Sequence, residues 1–290
     1  MAANRVALVL HGGAGALPER DYTAELAHMR SLVERGRDLL TRGASALDTV
    51  VEVVAAMEAS GLYVAGRGAS ANAAGRFELD ASLMDGRGRR AGAVAALEGF
   101  AAPIRIARAV MERTDHVMLA GDGAAAFAAE GGFERIGPEW FTPVERAGRP
   151  RMATGTVGCA ALDQAGALAA ATSTGGVYGK MLGRVGDSPI IGAGCWADER
   201  VAVSGTGVGE YFIRAAAAAQ VGFRMRLAGE DLATAASASI ADVGALGGAG
   251  GLIALGADGA IAMPYNTPGM KRAELHPDGR IEAAVFGESR

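Results

Sequence analysis

Glycine is the residue type that most constrains how this chain can fold, because it accounts for 44 of the 290 residues. The glycines follow no regular period, which excludes a collagen-like repeat and a low-complexity sequence. They separate short apolar segments from one another, as glycines do in turns and at the ends of helices and strands. Half of the residues are hydrophobic and only 5% are aromatic. The chain can therefore bury a large core, made mainly of alanine, valine, leucine and glycine.

The apolar segments between the glycines have two different spacings. Helical spacing predicts helices over 24–40, 44–58, 104–111, 124–129, 208–220 and 231–243. Alternating or continuously apolar segments predict strands over 6–10, 77–84, 91–97, 116–119, 156–162, 167–173, 201–204, 252–255 and 260–263. Turn sequences such as Asp85-Gly86 and Asp258-Gly259 join several of these strands as hairpins. Antiparallel sheets with helices before and after them indicate an α+β fold, an αββα sandwich in which two sheets pack between helical layers.

The segment 131–155 shows neither the helical spacing nor the apolar pattern of a strand. Its Gly, Pro, Glu and Arg residues interrupt every period, which is typical of a linker. From the length of the chain we expect one domain, or two tightly fused halves on either side of this linker.

The charge pattern argues against two classes of partner. The formal net charge is −4, and the Lys and Arg residues are scattered, so we expect binding neither to nucleic acid nor to a membrane surface. The apolar run near the N-terminus, 6–10, is too short for a signal peptide or a membrane span. These features favour a cytoplasmic protein.

Residues for several common chemistries are missing. Cys159 and Cys195 form no CxxC motif and the four histidines are scattered, so no metal site can be assigned from side chains. The sequence contains no GxSxG, HExxH or GxxxxGK[ST] motif. Gly13 and Gly15 begin a dinucleotide-binding fingerprint, but Pro18 stands where its third glycine would be. A hydrolase with this sequence needs another nucleophile.

Thr156 is a candidate nucleophile because it directly follows Gly155 and begins a predicted strand. A threonine hydroxyl needs a base beside it, and one solution is the residue's own α-amine, which is free only at a chain terminus. Such an amine titrates near ~7.7–8.0 and can accept a proton near neutral pH. This chemistry requires cleavage before Thr156, and Gly155 has no Cβ to obstruct attack on its carbonyl group. Taken alone, the pair is more typical of the ordinary start of a strand.

Eight blocks along the chain resolve this ambiguity. They are HGGAGAL (11–17), GASALDTV (43–50), ELDASLMDG (78–86), TGTVGCAALD (154–163), ATSTGG (171–176), GRVGDSPIIGAGCWAD (183–198), SGTGVGE (204–210) and YNTPGM (265–270). In this order they resemble the plant-type asparaginase or isoaspartyl peptidase family of N-terminal nucleophile (Ntn) hydrolases. The resemblance implies an α subunit, 1–155, and a β subunit, 156–290, that together form one domain with the Ntn fold.

The resemblance also implies roles for individual residues in catalysis. Thr156 would be the nucleophile, exposed by autocleavage after Gly155. Thr174 would form a hydrogen bond near it, and Thr206 and Gly207 would donate hydrogen bonds to the oxyanion, an interaction typically worth about 10² to 10³ in rate. No cofactor is expected.

A second group would bind the substrate. Arg184 would hold an α-carboxylate in a fork and Asp187 an α-ammonium, with Gly209 beside them. A ligand that offers both charges, with a carbonyl group directed at the nucleophile, is an aspartyl unit linked through its β-carboxyl. The expected substrates are therefore β-aspartyl dipeptides or asparagine, and the expected assembly is a dimer of αβ units.

The chain departs from the family pattern at two places. Val64 stands where the family has an amide near the nucleophile, which bears on autocleavage. Residues 177–180 read VYGK, and the absence of a side chain at Gly179 would favour a long leaving residue, such as the arginine of cyanophycin dipeptides, over ammonia. Family members also bind sodium through main-chain carbonyl groups, which would fall around 58–66. Three hypotheses result: an isoaspartyl dipeptidase with asparaginase activity, mainly an asparaginase, or a poorly maturing binding protein.

Overall fold

Two β-sheets packed face to face form the centre of the protein in a computed structural model, which describes residues 6–142 and 155–287. The strands of the described residues are β1 (Ala7–Ala14), β2 (Leu79–Asp85), β3 (Arg90–Leu97), β4 (Met118–Ala120), β5 (Val157–Leu162), β6 (Leu168–Thr174), β7 (Cys195–Ala197), β8 (Val201–Gly207), β9 (Gly250–Gly256), β10 (Ile261–Ala262), β11 (Met270–Leu275) and β12 (Ile281–Ala284). The α-helices are α1 (Thr23–Thr41), α2 (Ala46–Ser60), α3 (Pro103–Arg113), α4 (Gly121–Glu130), α5 (Gly209–Ala215), α6 (Ala217–Phe223) and α7 (Leu232–Ala245).

The larger sheet has eight strands in the order β12-β11-β1-β5-β6-β2-β3-β4, and the smaller has four in the order β10-β9-β8-β7. All pairs are antiparallel except β3 and β4, which run parallel because α3 connects them as a crossover. Strands from both sides of the predicted linker are interleaved in the larger sheet. The strand β1 lies between β11 and β5, and β6 pairs with β2.

Four layers result from this packing. Helices α1, α2 and α3 cover the outer face of the larger sheet, and the smaller sheet packs on its inner face, with β8 against β5 and β6. Helices α6 and α7 cover the outer face of the smaller sheet. The predicted αββα sandwich is confirmed. No helix among the described residues is long and apolar enough to cross a membrane.

Local sequence signals explain where several helices begin and end. Ser45 caps α2 by accepting a hydrogen bond from the amide of Asp48, and Gly61 ends the same helix with a φ of 72°. Asp231 caps α7 by accepting from the amide of Thr234. Both helices lie close to their predicted ranges.

Some elements differ from the prediction. The helix predicted over 208–220 is two helices, α5 and α6, which are separated at Ala216, where φ is 48°. The strands β7, β11 and β12 were not predicted. The sequence of β11, MKRAEL, contains three charged residues, yet all six residues are buried because both faces of the strand are covered.

The segment predicted as a linker is only partly described. Its first part packs on the body of the protein: Phe141 stacks on Phe77 with ring centroids 4.0 Å apart, and the amide of Thr142 donates to the carbonyl oxygen of Arg67 at 2.8 Å. Residues 143–154 lie outside the described residues.

Candidate active site

Thr156 lies directly before β5, which is a central strand of the larger sheet, and it is buried. The residue before it, Gly155, packs on Val64. A Cβ at position 155 would lie only 2.7 Å from the Cβ of Val64 and 3.1 Å from its amide nitrogen. The residue at 155 must therefore be glycine if Val64 keeps its place. Val64, at which the sequence departs from the family pattern, thus contacts Gly155 at the predicted cleavage point.

The hydroxyl of Thr156 belongs to a short chain of hydrogen bonds. It donates to Thr174 Oγ1 at 3.1 Å. Thr174 Oγ1 also accepts from the amide of Gly176 at 3.1 Å and lies 3.4 Å from the carbonyl oxygen of Val64, to which it donates. These contacts fix the orientation of the Thr174 hydroxyl, which in turn orients the Thr156 oxygen.

Arg184 forms two parallel hydrogen bonds with the carboxylate of Glu210. Its Nε donates to Oε1 at 2.9 Å, and its Nη2 donates to Oε2 at 3.0 Å. The guanidinium group lowers the pKa of Glu210 below its usual range. This is the forked geometry in which arginine binds carboxylates. The substrate carboxylate predicted for Arg184 would therefore have to displace Glu210 or share Arg184 with it.

Asp187 is buried, and its Oδ2 atom has no hydrogen-bond partner among the described residues. Burial raises the pKa of Asp187 to about 7, whereas Arg184 lowers it. Gly209 packs directly against it: a Cβ there would lie 2.8 Å from Asp187 Oδ1 and 2.9 Å from its amide nitrogen. Gly209 therefore allows the start of α5 to approach Asp187. A buried, incompletely bonded carboxylate is suited to bind a cationic group.

Thr206 and Gly207 lie at the end of β8. The hydroxyl of Thr206 accepts a hydrogen bond from the amide of Ala14 at 3.3 Å, which leaves its own hydrogen available to another acceptor. A Cβ at Gly207 would lie 2.6 Å from the carbonyl oxygen of Ala249 and 2.8 Å from the Cα of Gly250. Only glycine fits at position 207.

A narrow cleft, about 240 Å³ including its open mouth, brings most of the predicted residues together. Its lining residues are Thr156, Thr174, Gly176, Val177, Arg184, Gly186, Asp187, Ser188 and Gly207. Thr206 and Gly209 are absent from this lining, although Gly209 packs against Asp187, which lines the cleft. Val177 lines the cleft on the side where the sequence departs from the family, whereas Gly179 does not. Gly179 has a φ of 65°, a conformation that favours glycine.

Sequence reasoning missed a buried charged group beneath the cleft. The Nζ atom of Lys180 lies 3.8 Å from Glu78 Oε2 and 3.9 Å from Asp80 Oδ2. The Lys180 side chain fills the space beside Gly176, where a Cβ would lie 2.7 Å from Lys180 Cδ. Glu78 Oε1 accepts from the amide of Gly183 at 2.8 Å. The group therefore supports both the Gly176 turn and the segment that leads to Arg184.

The sequence contained a signal for these missed residues. Glu78 and Asp80 lie in the block ELDASLMDG, and Glu210 ends the block SGTGVGE. Neither block alone indicates which carboxylate faces which cation.

His11 lies in a buried polar group between the two sheets. Its Nε2 atom forms a hydrogen bond with Ser204 Oγ at 2.9 Å, and Ser204 forms another with Thr172 Oγ1 at 2.7 Å. Burial lowers the pKa of His11 to about 3. The imidazole is therefore neutral at physiological pH and joins β1 to β8.

The loop predicted to bind sodium, around 58–66, packs its glycines closely against backbone carbonyl groups. A Cβ at Gly66 would lie 2.5 Å from the carbonyl oxygen of Glu58, and one at Gly68 would lie 3.0 Å from that of Gly61 and overlap that of Tyr63. These contacts show why glycine stands at positions 66 and 68. A sodium site held by these carbonyl groups stays a prediction.

Comparison with known proteins places these observations in a family. A family model described as asparaginase matches residues 4–153 and 142–285. The chain is 43% identical over 297 residues to an isoaspartyl peptidase of Salmonella typhimurium, which covers 93% of this chain and 95% of that protein. It is 44% identical over 296 residues to an isoaspartyl peptidase of Escherichia coli, with 93% and 92% covered.

An archaeal relative is similarly close. A plant-type L-asparaginase of Pyrobaculum calidifontis is 42% identical over 299 residues, which cover 96% of this chain and 99% of that protein. The four-layered architecture described above is the Ntn-hydrolase fold of this family. The chain therefore belongs to the asparaginase family of Ntn hydrolases.

Proposed function

We propose that the protein is an autocleaving threonine hydrolase of β-aspartyl (isoaspartyl) dipeptides that also hydrolyses L-asparagine. One observation carries the proposal: a threonine hydroxyl next to a glycine lies in the same cleft as Arg184 and Asp187. The cleft thus combines a nucleophile with partners for both charges of an aspartyl unit. The names of the relatives in the family support this substrate class.

Maturation would use the same hydroxyl as catalysis. Thr156 Oγ1 adds to the carbonyl carbon of Gly155, the bond from that carbon to the Thr156 nitrogen breaks, and the hydroxyl proton passes to the nitrogen. Water then hydrolyses the resulting ester, which gives a Gly155 carboxylate and restores the hydroxyl. The products are a chain that ends at Gly155 and one that begins with a free α-amine at Thr156.

Hydrolysis would follow with the free amine as the base. The amine takes the proton from Oγ1 as the oxygen attacks the β-carbonyl carbon, and it returns that proton to the leaving amine. Thr206 and the amide of Gly207 would donate hydrogen bonds to the oxyanion. Water, deprotonated by the same amine, hydrolyses the aspartyl ester and releases aspartate. Arg184 and Asp187 keep the aspartyl unit in place throughout.

The decisive test of the proposal is the mass of the purified protein. We expect intact-mass measurement of the native chain to give two fragments that meet at Gly155 and Thr156. The variant Thr156→Ala should stay a single inactive chain, whereas Thr156→Ser should still cleave because it keeps the hydroxyl. Two fragments from Thr156→Ala would contradict autocleavage by this residue. A native chain that stays uncut would favour the third hypothesis, a binding protein, for which the packing of Val64 on Gly155 provides a reason.

A substrate series decides between peptidase and asparaginase. We expect kcat/KM to be higher for β-Asp-Leu, β-Asp-Lys and β-Asp-Arg than for asparagine, because Val177 adds apolar surface for a leaving residue on its side of the cleft. A higher value for asparagine than for all three dipeptides would make the protein mainly an asparaginase. Preference for β-Asp-Arg would support cyanophycin dipeptides as substrates. The dimer of αβ units and the cytoplasmic location stay predictions from the sequence.

A further inference from the structure

A second cavity lies at the opposite end of the sandwich from the cleft. In the pairing of β6 with β2, Thr174 at the cleft is opposite Asp80, while Ala169 at the other end is opposite Asp85. The cavity opens next to Asp85, and its volume is about 790 Å³ including its mouth. Its lining residues are Gly86, Gly88, Arg89, Asp198, Glu199, Arg200 and Arg226. It therefore shares no residue with the catalytic cleft.

Three arginines reach this cavity from three separate segments. Arg89 lies in the turn between β2 and β3, Arg200 in the turn between β7 and β8, and Arg226 in the π-helical segment that follows α6. All three are exposed. Within residues 6–142 and 155–287 their side chains form no ion pair and no hydrogen bond. Three exposed cations thus line one cavity.

The segments that carry these arginines are packed directly against each other. A Cβ at Gly86 would lie 2.5 Å from the carbonyl oxygen of Asp198, so the β2–β3 turn rests on the β7–β8 turn. A Cβ at Gly222 in α6 would lie 2.6 Å from the Nε1 atom of Trp196. The frame of the cavity is thus fixed by backbone contacts, and a ligand would not have to organise it.

Aromatic rings hold two of the guanidinium groups. Arg89 lies over the ring of Trp196 at 5.9 Å, and Arg226 lies over the ring of Phe223 at 5.2 Å. The two rings contact each other edge to face, with centroids 5.3 Å apart. Stacking uses the face of a guanidinium group and leaves its N–H edge free for a ligand. The edges are the part of arginine that binds phosphate and carboxylate groups in pairs of hydrogen bonds.

The acidic residues of the lining do not cancel this charge. Asp198 is buried, and its carboxylate accepts hydrogen bonds from Trp196 Nε1 and from the amides of Arg200 and Val201. Its charge is therefore bound within the β7–β8 turn. Glu199 is the one other carboxylate of the lining, and it is exposed. Among the lining residues, three arginines thus accompany one exposed carboxylate.

We propose that this cavity binds a small oxyanion that carries two or more negative charges on phosphate or carboxylate groups. The site is separate from the proposed catalytic function and does not depend on it. Three guanidinium groups with free edges suit a ligand that has several oxygen atoms in one small volume.

Isothermal titration calorimetry at constant ionic strength tests the site with inorganic pyrophosphate and with citrate. We expect saturable 1:1 binding of at least one of them, which weakens as sodium chloride is added. Arg89→Gln and Arg226→Gln should each raise Kd by about tenfold or more, since each removes hydrogen bonds between charged groups. Binding of pyrophosphate alone or of citrate alone would identify the ligand group.

Two control variants make the test specific. Arg113 also lies over an aromatic ring, Phe133 at 5.8 Å, and is exposed, but it is outside the cavity, so Arg113→Gln should leave Kd unchanged. Glu199→Gln removes the exposed carboxylate and should lower Kd. Far-UV circular dichroism checks that each variant is folded. The proposal is overturned if neither anion binds, or if the Arg89 and Arg226 variants bind as tightly as the native chain.

Discussion

At the residue scale, Asp187 is a buried carboxylate that the fold leaves incompletely bonded. Its pKa of about 7 results mainly from burial, and a raised pKa means that the folded state favours the protonated form. The carboxyl group therefore lowers stability as the pH rises from its ordinary value of 3.8 to about 7. Above that pH it is ionised, which is the form that the proposed binding of a substrate ammonium group requires. The proposed role and the stability of the fold would thus make opposite demands on this position.

Replacing Asp187 by asparagine should separate these demands. We expect Asp187→Asn to lose most activity, through a higher KM, and to raise the free energy of unfolding at pH 8 by about 1–3 kcal/mol. The gain should be smaller at pH 5, where Asp187 is already protonated. Urea denaturation at the two pH values measures this.

The matched control for that measurement is Asp163→Asn. The Asp163 carboxylate is buried and accepts hydrogen bonds from the amides of Ala46, Ala165 and Ala167. An asparagine there would direct its own N–H toward one of these donors, so the free energy of unfolding should fall by about 1–3 kcal/mol. Equal effects of the two substitutions would show that Asp187 carries no unbalanced charge.

Single residues also show how far the sequence predicts the site. The motifs predict Thr156, Thr174, Arg184, Asp187 and Gly207, and the fold brings all five to one cleft. The motifs give no distances, so the pairing of Arg184 with Glu210 required the fold. The close approach of Gly209 to Asp187 likewise depends on how α5 meets the preceding loop.

At the scale of elements, the break between α5 and α6 is the clearest departure from local pattern. Residues 215–219 are all alanine, the residue type with the highest helix propensity. Ala216 nevertheless has a left-handed backbone, with φ 48° and ψ 46°, and is exposed. The amides of Ala218 and Ala219 donate to the carbonyl oxygens of Ala193 and Gly192, respectively. These tertiary hydrogen bonds redirect the chain against its own preference.

Glycine at this break should stabilise the protein. We expect Ala216→Gly to raise the free energy of unfolding by about 1 kcal/mol, because glycine adopts the left-handed conformation without steric cost. Ala215→Gly, one residue earlier in α5, should lower it by about 0.5–1 kcal/mol. Thermal unfolding followed by circular dichroism compares the two variants. A loss of stability in Ala216→Gly would mean that the strain is absent.

Periodicity predicted the amphipathic and the wholly apolar elements. The helices α1 and α2 and the hairpin of β5 and β6 were found within a few residues of their predicted ranges. Strand β11 has no such pattern, since Lys271, Arg272 and Glu274 are buried in it. Lys271 lies 5.5 Å over the ring of Tyr22, and Arg272 donates to the carbonyl oxygens of Met270 and Val285. Such partners make charged residues suitable for a buried strand, and a linear sequence does not reveal them.

At the scale of the whole molecule, the order of strands in the larger sheet is the dominant feature. The strands β1 to β4 precede Gly155, and β5, β6, β11 and β12 follow it. Three strand pairs join the part before Gly155 to the part after it. Strand β1 pairs with β11 and with β5, and β2 pairs with β6. The two parts therefore share one sheet and two hydrophobic cores.

The cleaved protein should consequently behave as one particle. After cleavage at Gly155 we expect both fragments to elute together in native size-exclusion chromatography, at the volume of the uncut Thr156→Ala chain. They should separate only in denaturant, because separation breaks three strand pairs and exposes the core. Elution of two separate fragments in native buffer would contradict this topology.

The interleaved strands also determine whether the protein can refold once its chain has been cleaved. In the uncut chain, β1 reaches its place between β5 and β11 as part of one molecule, and only loop closure opposes this step. Once the chain is cut, the same step requires two molecules to meet, so its rate falls with dilution. The uncut chain can refold without meeting a second molecule, whereas a cleaved protein that unfolds at low concentration reassembles slowly and is exposed to proteolysis in the meantime. Its working lifetime is therefore set by the rate of unfolding rather than by the equilibrium between folded and unfolded states.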